Sequence, residues 1–421
     1  MSPLESLREA LRLLRAQPLR SSLTLFGLVW GTAAVIFLLS WGVGLRSMLD
    51  TAFQRAGKNL VQTWAGKVSE DFSPAVDRRW LWYTQEDVEA LRERARELDG
   101  IAGETRRFAP AAFRGRALSL EVRGVEPEGE AIRDVPLASG RLITREDVAQ
   151  SRRVLVIGHR ARERLLGAEG RVGSWVRIDG TSFQVVGVLA RVGTQLARDG
   201  AEIDDQLWVP LSVHLALWPN PWLPVDMLST ILARAKDRDR IDAAESEMRR
   251  VLADRLGVPA DDEEAVPVFS PLTMLRRIPI DQQNALNLLI ALTTLLVGGI
   301  GILAMMLDSV QERRAEIGVR LALGARRRDV LLQFLWEGVA IVALGGALGV
   351  TLGTGGALFL ASDAFRSGIP APLRDLVPVP ELSAAMVLLA VLAMGVVALA
   401  AGVVPAWRAA RVDPLVVLRD A

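Results

Sequence analysis

Charged and polar residues withdraw from the chain four times, each time for long enough to form a helix that crosses a membrane. No charged side chain occurs between Arg20 and Arg46, a gap of 25 residues. At 1.5 Å rise per residue this spans a hydrocarbon core about 30 Å thick. The pattern predicts transmembrane helices over residues 21–45, 285–308, 334–360 and 382–407. Ahead of the first, Leu4, Leu7, Leu11 and Leu14 recur at helical spacing, with Glu5, Arg8, Glu9, Arg12 and Arg15 on the other face. That predicts an amphipathic helix within residues 1–20, lying along the inner membrane surface. A cleaved signal peptide is the rival reading of the first run. It is disfavoured because the run exceeds the usual length of about 7–15 residues and no small-x-small cleavage site follows.

Between the first two spans, residues 46–284 turn polar and show mixed periodicities. Thr84 is placed to cap a helix over Gln85 to Leu98, and a second helix is expected from Arg238 to Leu256 with Ile241, Ala244, Met248, Val251 and Leu252 inward. Residues 172–178 and 182–189 flank Asp179-Gly180-Thr181, a hairpin signal because Asp-Gly supplies positive φ angles. Residues 118–125, 153–158 and 207–211 also read as strands. The expected fold is therefore a membrane protein of four transmembrane helices. A large mixed α/β extracytoplasmic domain in two lobes is inserted between helices 1 and 2, over 46–284.

Composition changes this picture little, but charge placement orients it. Half of the 421 residues are hydrophobic and the formal net charge is +1, so a nucleic-acid partner is not expected. Cysteine is absent, which excludes disulfides, thiol catalysis and cysteine-ligated metal. Arginine excess marks the cytoplasmic side of a span. Arg8, Arg12, Arg15 and Arg20, the loop at 309–333 and the tail at 408–421 with Arg408, Arg411 and Arg419 therefore lie inside. The loop at 361–381, with only Arg366 and Arg374, lies outside.

The most informative stretch is Glu312 to Arg328, six arginines wedged between two membrane helices. Glu316 and Arg320 are spaced for an i,i+4 ion pair, Ile317 and Leu321 form a neighbouring apolar stripe, and Gly324 is a helix stop. A short amphipathic helix at the cytoplasmic mouth of a bundle is what a soluble motor could grip. Glu312, Arg313, Arg314, Glu316, Ile317, Gly318, Arg320, Leu321, Leu323 and Gly324 are the candidate coupling residues. Replacing Ile317 or Leu321 by Glu is expected to uncouple the motor and leave folding intact. Gly27 and Gly31, and Gly345, Gly349 and Gly353, repeat every four residues and suit close helix packing, within one chain or between two. Glu337 stands just inside the third span, where pairing with a loop arginine is favoured over a proton relay.

Other candidate chemistry is thin. His159 and His214 are far apart in sequence, so no metal site or triad is expected. Gly298-Gly299-Ile300-Gly301 lies inside an apolar helix with no strand before it, and no Gly-x-x-x-x-Gly-Lys-Ser/Thr occurs. Trp64, Trp80, Trp82, Trp208, Trp218 and Trp222 enrich the outer domain in tryptophan, either as a contact face or as ordinary packing.

Three stretches taken together resemble the MacB-type ABC transporter permease family, grouped with FtsX and the lipoprotein-releasing permeases. They are residues 20–46, residues 312–328 with Arg-Ala-Glu-Ile-Gly-Val-Arg-Leu-Ala-Leu-Gly-Ala, and Pro405-Ala406-Trp407-Arg408-Ala409-Ala410-Arg411-Val412-Asp413-Pro414-Leu415. Within the outer domain, residues 124–127, Gly140-Arg141 and residues 180–188 resemble the family's periplasmic core domain. The resemblance implies a non-catalytic membrane subunit in the bacterial inner membrane, paired with a second permease copy as a homodimer or with a sister permease as a heterodimer, and bound to two copies of an ABC ATPase. ATP and Mg belong to that partner, and no cofactor is expected on this chain. Met1 leads straight into the interfacial helix, so the ATPase is expected on a separate chain. Motion would pass through the coupling helix and spans to the outer domain, to export a substrate with a periplasmic adaptor and an outer-membrane duct. Lipoprotein release, and FtsX-like signalling or hydrolase regulation, are the alternatives; contact with membrane lipid is common to all.

Overall fold

A computed structural model describes residues 18–69, 80–196, 199–219 and 224–411. The expected interfacial helix at 3–17, Trp222, and the terminal residues 412–421 with Arg419 fall outside them. The chain divides into two compact units, one from Leu49 to Ile278 and the other formed by the residues on either side. The first helix, α1 (Pro18–Gln54), passes from one unit into the other without a break. It continues nine residues past the expected end of the span, because Leu49 and Phe53 pack with Ala56, Leu60 and Ile132 in the core of the outer unit. Gly57 at φ +139° follows the helix.

In the outer unit α2 (Gln85–Arg94) begins where Thr84 donates its backbone N–H to Asp87 Oδ2 at 2.9 Å. The helix stops four residues short of the expected Leu98. Leu98 instead opens a long strand, β2 (Leu98–Phe113), whose first half pairs with a strand from late in the chain. Here a non-local ladder overrides local helical periodicity. The other strands are β1 (Leu60–Trp64), β3 (Arg116–Val125), β4 (Leu137–Gly140), β5 (Val154–Ile157), β6 (Trp175–Ile178), β7 (Thr181–Leu189), β8 (Gln206–Pro210), β9 (Thr230–Ala235) and β10 (Val268–Phe269). Helix α3 (Pro127–Arg133) follows β3, and α4 (Ile241–Leu256) buries Ile241, Ala244, Met248 and Leu252 along one stripe. The hairpin between β6 and β7 turns on Asp179 and Gly180 at φ +46° and +86°, as its sequence predicts.

Strand pairing explains two lobes within this unit. The order β10-β1-β9-β2 makes one sheet, over which α2 and α4 close a core containing Leu91, Ile231, Met248 and Leu252. The second half of β2 pairs with β3, and β6 pairs with both β2 and β7. The ladders β2-β3-β8-β5-β7-β6 thus return to β2 and close a small barrel filled by Phe113, Val122, Leu155, Phe183 and Leu207. Closure removes exposed strand edges. A single strand is therefore shared by both lobes, handed from β9 at Glu104 to β3 at Thr105.

The other unit contains α1 with α5 (Ile280–Glu312), α6 (Arg314–Ala322), α7 (Arg327–Ala361) and α8 (Ala384–Ala410). Among the described residues four helices are long and apolar enough to cross a membrane, and their exposed sides carry residues such as Leu289, Leu296, Ile300, Leu352 and Leu388. Lipid supplies no hydrophobic drive between helices, so their association rests on close packing. A Cβ on Gly31 would lie 2.8 Å from Leu295 Cα, and one on Gly298 would lie 2.8 Å from the Gly27 carbonyl carbon. Gly345, Gly349 and Gly353 of α7 meet Leu28, Thr32 and Ala33 of α1. These seams lie within one chain: α1 presents one stripe to α5 and the next to α7. Gly298 and Gly299, unreadable as a nucleotide loop, are contact points on α1 and on Val397 of α8.

Candidate coupling site

The path from α5 to α7 is short and pinned at each step. Helix α5 ends at Glu312, the backbone turns at Arg313, and α6 begins one residue later. Ile317 is 5% exposed and joins Met306, Val310, Val330 and Phe334 in the core of the membrane unit, with Leu321 packed against that cluster. On the outer side Arg320 pairs with Glu316 and donates Nη1 to Gln333 Oε1 of α7 at 3.2 Å. The end of α6 is a double closure. Gly324 N–H donates to Leu321 O and Ala325 N–H to Arg320 O, both at 3.1 Å, with Gly324 at φ +94°. Leu323, just before that turn, is 84% exposed, and Val319 one turn back is also exposed.

This arrangement corrects one expectation. The stripe Ile317–Leu321 faces the bundle and fastens α6 to it, so a Glu at Ile317 would disrupt packing rather than spare the fold. The stripe open to a partner is Val319–Leu323. Both stripes have the same four-residue spacing, and only the tertiary structure distinguishes them; Val319 escaped the sequence reading for that reason. Gly318 is buried beside Ile317, while Glu312, Arg314, Glu316 and Arg320 remain exposed. Glu337 of α7 is fully buried and accepts a hydrogen bond from Arg313 Nη1 at 3.0 Å. The loop arginine expected to pair with it is thus Arg313, and the pair ties the start of α6 to the third span. Gly27, Gly31, Gly345, Gly349 and Gly353 set the helix spacing above it.

A second constellation had no sequence signal. At the handover point of β2, Arg123 is fully buried and reaches Glu104 and Glu121 at 2.7 Å and Asp199 at 3.0 Å. Arg133 of α3 adds a second cation, 2.7 Å from Glu104, and Thr230 of β9 donates to Asp199 at 2.8 Å. Burial raises the carboxyl pKa values, but Arg123 and Arg133 outweigh it, holding Asp199 down at about 2 and Glu104 below its ordinary value. The group joins β2, β3, α3, β9 and the loop after β7, so it clamps the two lobes where they share a strand.

Comparison with known proteins assigns both halves. Residues 21–251 match the MacB-like periplasmic core domain, and residues 288–414 match the FtsX-like permease C-terminal domain. The chain belongs to the MacB-like permease family. It is 34% identical to the macrolide export ATP-binding/permease protein MacB of Rhodospirillum rubrum, over 98% of this chain and 60% of that protein. It is 30% identical to the pyoverdine export ATP-binding/permease protein PvdT of Pseudomonas fluorescens, over 99% and 59% respectively. The chain thus spans about 60% of the length of these curated relatives. The crystal structure of the periplasmic region of MacB from Actinobacillus actinomycetemcomitans aligns over 54% of this chain and 95% of its own, at 17% identity and TM-score 0.42.

In this MacB-like chain the core-domain match runs from α1 to within α4, and the permease match runs from within α5 through α8. It is a membrane-embedded protein with an extracytoplasmic domain. No group of three or more metal-ligating side chains occurs among the described residues. His214 is buried and its pKa is lowered to about 4 by desolvation and by Arg107, while His159 stands near Glu163 on the barrel surface. Of the tryptophans, Trp208 is fully buried and donates to Gln206 Oε1 at 2.8 Å; Trp64 and Trp80 are exposed.

Glu130 of α3 offers a pH test of this domain. Burial pushes its carboxyl up from 4.5 to about 8, against a hydrogen bond from Ile143 N–H and alongside Glu104 and Asp147. Below pH 4.5 folded and unfolded states both hold the proton. Between 4.5 and 8 only the folded state does, so stability declines as pH rises through that window. Glu130→Gln should remove the decline, raising stability at pH 8.5 by about 1–3 kcal/mol and leaving it unchanged near pH 4. Urea titrations at the two pH values test this, and equal effects at both would contradict it.

Proposed function

We propose that this chain is the permease subunit of an inner-membrane ABC exporter, relaying ATP-driven motion of an ATPase to its outer domain. The observation that carries the reading is α6, locked to the spans through Ile317, Arg313–Glu337 and Arg320–Gln333 while Leu323 projects outward. A push on Leu323 would reach α5 and α7 through these contacts. The chain holds no phosphate-binding loop, so ATP and Mg²⁺ would sit on an ATPase outside these 421 residues, in two copies beneath a pair of permeases. The chain itself is non-catalytic in this reading. Its work is to reshape the outer domain so that a substrate in the periplasm or outer leaflet is expelled, through an adaptor and an outer-membrane duct.

Purification from native membranes in mild detergent, with mass identification of bound proteins, tests this reading. Recovery of a Walker-motif ATPase with a periplasmic adaptor is expected. Recovery with lipoproteins would assign the chain to lipoprotein release, and with a cell-wall hydrolase to FtsX-like regulation. Absence of any ATPase would remove the energy source and overturn the proposal.

A further inference from the structure

On the outside of the barrel, where the β2–β3 hairpin turns at Arg114-Gly115, a trough of about 670 Å³ opens. Its floor follows from strand register. Ala117, Ala112, Arg177 and Ser182 align in one row across β3, β2, β6 and β7, so three of the four floor residues are small. Trp175 lies two residues from Arg177 on the same face and is 60% exposed. Arg114 pairs with Glu169, whereas Arg116 lies over the bare backbone of Gly167, close enough that a Cβ there would fall 2.3 Å from its Nη1. Neither Arg116 nor Arg177 has an acidic partner among the described residues, and no carboxylate lines the trough.

Two guanidinium groups without an acidic partner, and no lining acid, favour an anion, and the planar fork matches a carboxylate or sulfonate in two-point contact. An indole face open to solvent favours a ring stacked on it. The volume falls within the range of small-molecule sites, and the alanine and serine floor leaves depth for a ring above the sheet. We propose that this trough binds a small molecule bearing an anionic group on a planar aromatic ring, the anion on Arg116 and Arg177 and the ring on Trp175. Binding of this kind requires neither ATP nor a partner, so it stands or falls apart from the force-relay reading.

The test uses the full chain in lipid nanodiscs, with 2-naphthoate as probe and neutral 2-naphthamide as its uncharged counterpart, followed by equilibrium dialysis against empty discs. Saturable binding of 2-naphthoate is expected, at least tenfold tighter than 2-naphthamide and weakened at least tenfold in both Arg177→Ser and Trp175→Ala. Both side chains are exposed, so folding should be unaffected, and an unchanged unfolding midpoint confirms it. Failure to saturate by about 5 mM, equal binding of the two probes, or full binding in the double variant overturns the proposal. Tighter binding of an aromatic-free hexaglutamate that displaces 2-naphthoate also overturns it, assigning the trough to an acidic protein segment.

Discussion

Leu323→Glu is expected to cut permease-dependent stimulation of the ATPase and substrate export at least tenfold, while membrane insertion and thermal stability stay at the level of the parent chain. An apolar side chain 84% exposed at the tip of a pinned helix contributes almost nothing to the fold. It can contribute a great deal to an interface, where a few central apolar anchors carry most of the binding energy. A carboxylate pressed into an apolar groove of the motor would lack a partner and lose that contact. Ile317→Glu supplies the contrast. Its side chain lies among Met306, Val310, Val330 and Phe334, and a charge there should unfold or deplete the membrane unit rather than uncouple it. ATPase assays of the reconstituted complex, read beside melting curves, separate the two. Wild-type stimulation in Leu323→Glu would show that the motor does not grip α6 through this stripe.

Arg123→Met should be the most destabilising single change in the outer unit, by about 3–5 kcal/mol, against a typical total of about 5–15 kcal/mol for a domain. Methionine fills much of the arginine's volume but leaves Glu104, Glu121 and Asp199 buried, with Arg133 as the buried cation still in contact with Glu104 and Asp199 among the described residues. The pH dependence gives this mechanism a signature. Burial raises Asp199 and Glu104, the two arginines more than reverse it, and both titrate below their unfolded values. Their contribution to stability is present above pH 3.8 for Asp199 and 4.5 for Glu104, and is lost as pH falls below those values, for Asp199 through about 2. Removing Arg123 removes that contribution, so the deficit should be largest at neutral pH and shrink on acidification below about pH 4. Arg123→Lys, which keeps the charge without the fork, should fall between the two. Urea titrations followed by tryptophan fluorescence measure all three, and a deficit below about 1 kcal/mol, or one that grows in acid, would contradict the clamp.

Much of this protein was legible from sequence wherever local physics decides. Long charge-free runs can bury their backbone polar groups in lipid only as helices, so the four membrane helices follow from composition alone. Asp179-Gly180 dictates its turn, because few other pairs accept two positive φ angles, and Gly324 dictates the end of α6 for the same reason. Glu316–Arg320 and a loop arginine for Glu337 follow from spacing and from the penalty on a lone charge beside lipid.

What the sequence left open depends on partners far away along the chain. Leu98 leaves its helix because β9, more than a hundred residues later, offers it a ladder. Glu104, Glu121, Arg123, Arg133 and Asp199 look like surface charges one at a time, and become a clamp only when α3 and the loop after β7 cover them. Ile317 and Val319 differ in no property that a linear pattern records. Which one faces the bundle was decided by the packing of α6 against Met306, Val310, Val330 and Phe334, on helices that the sequence alone does not position.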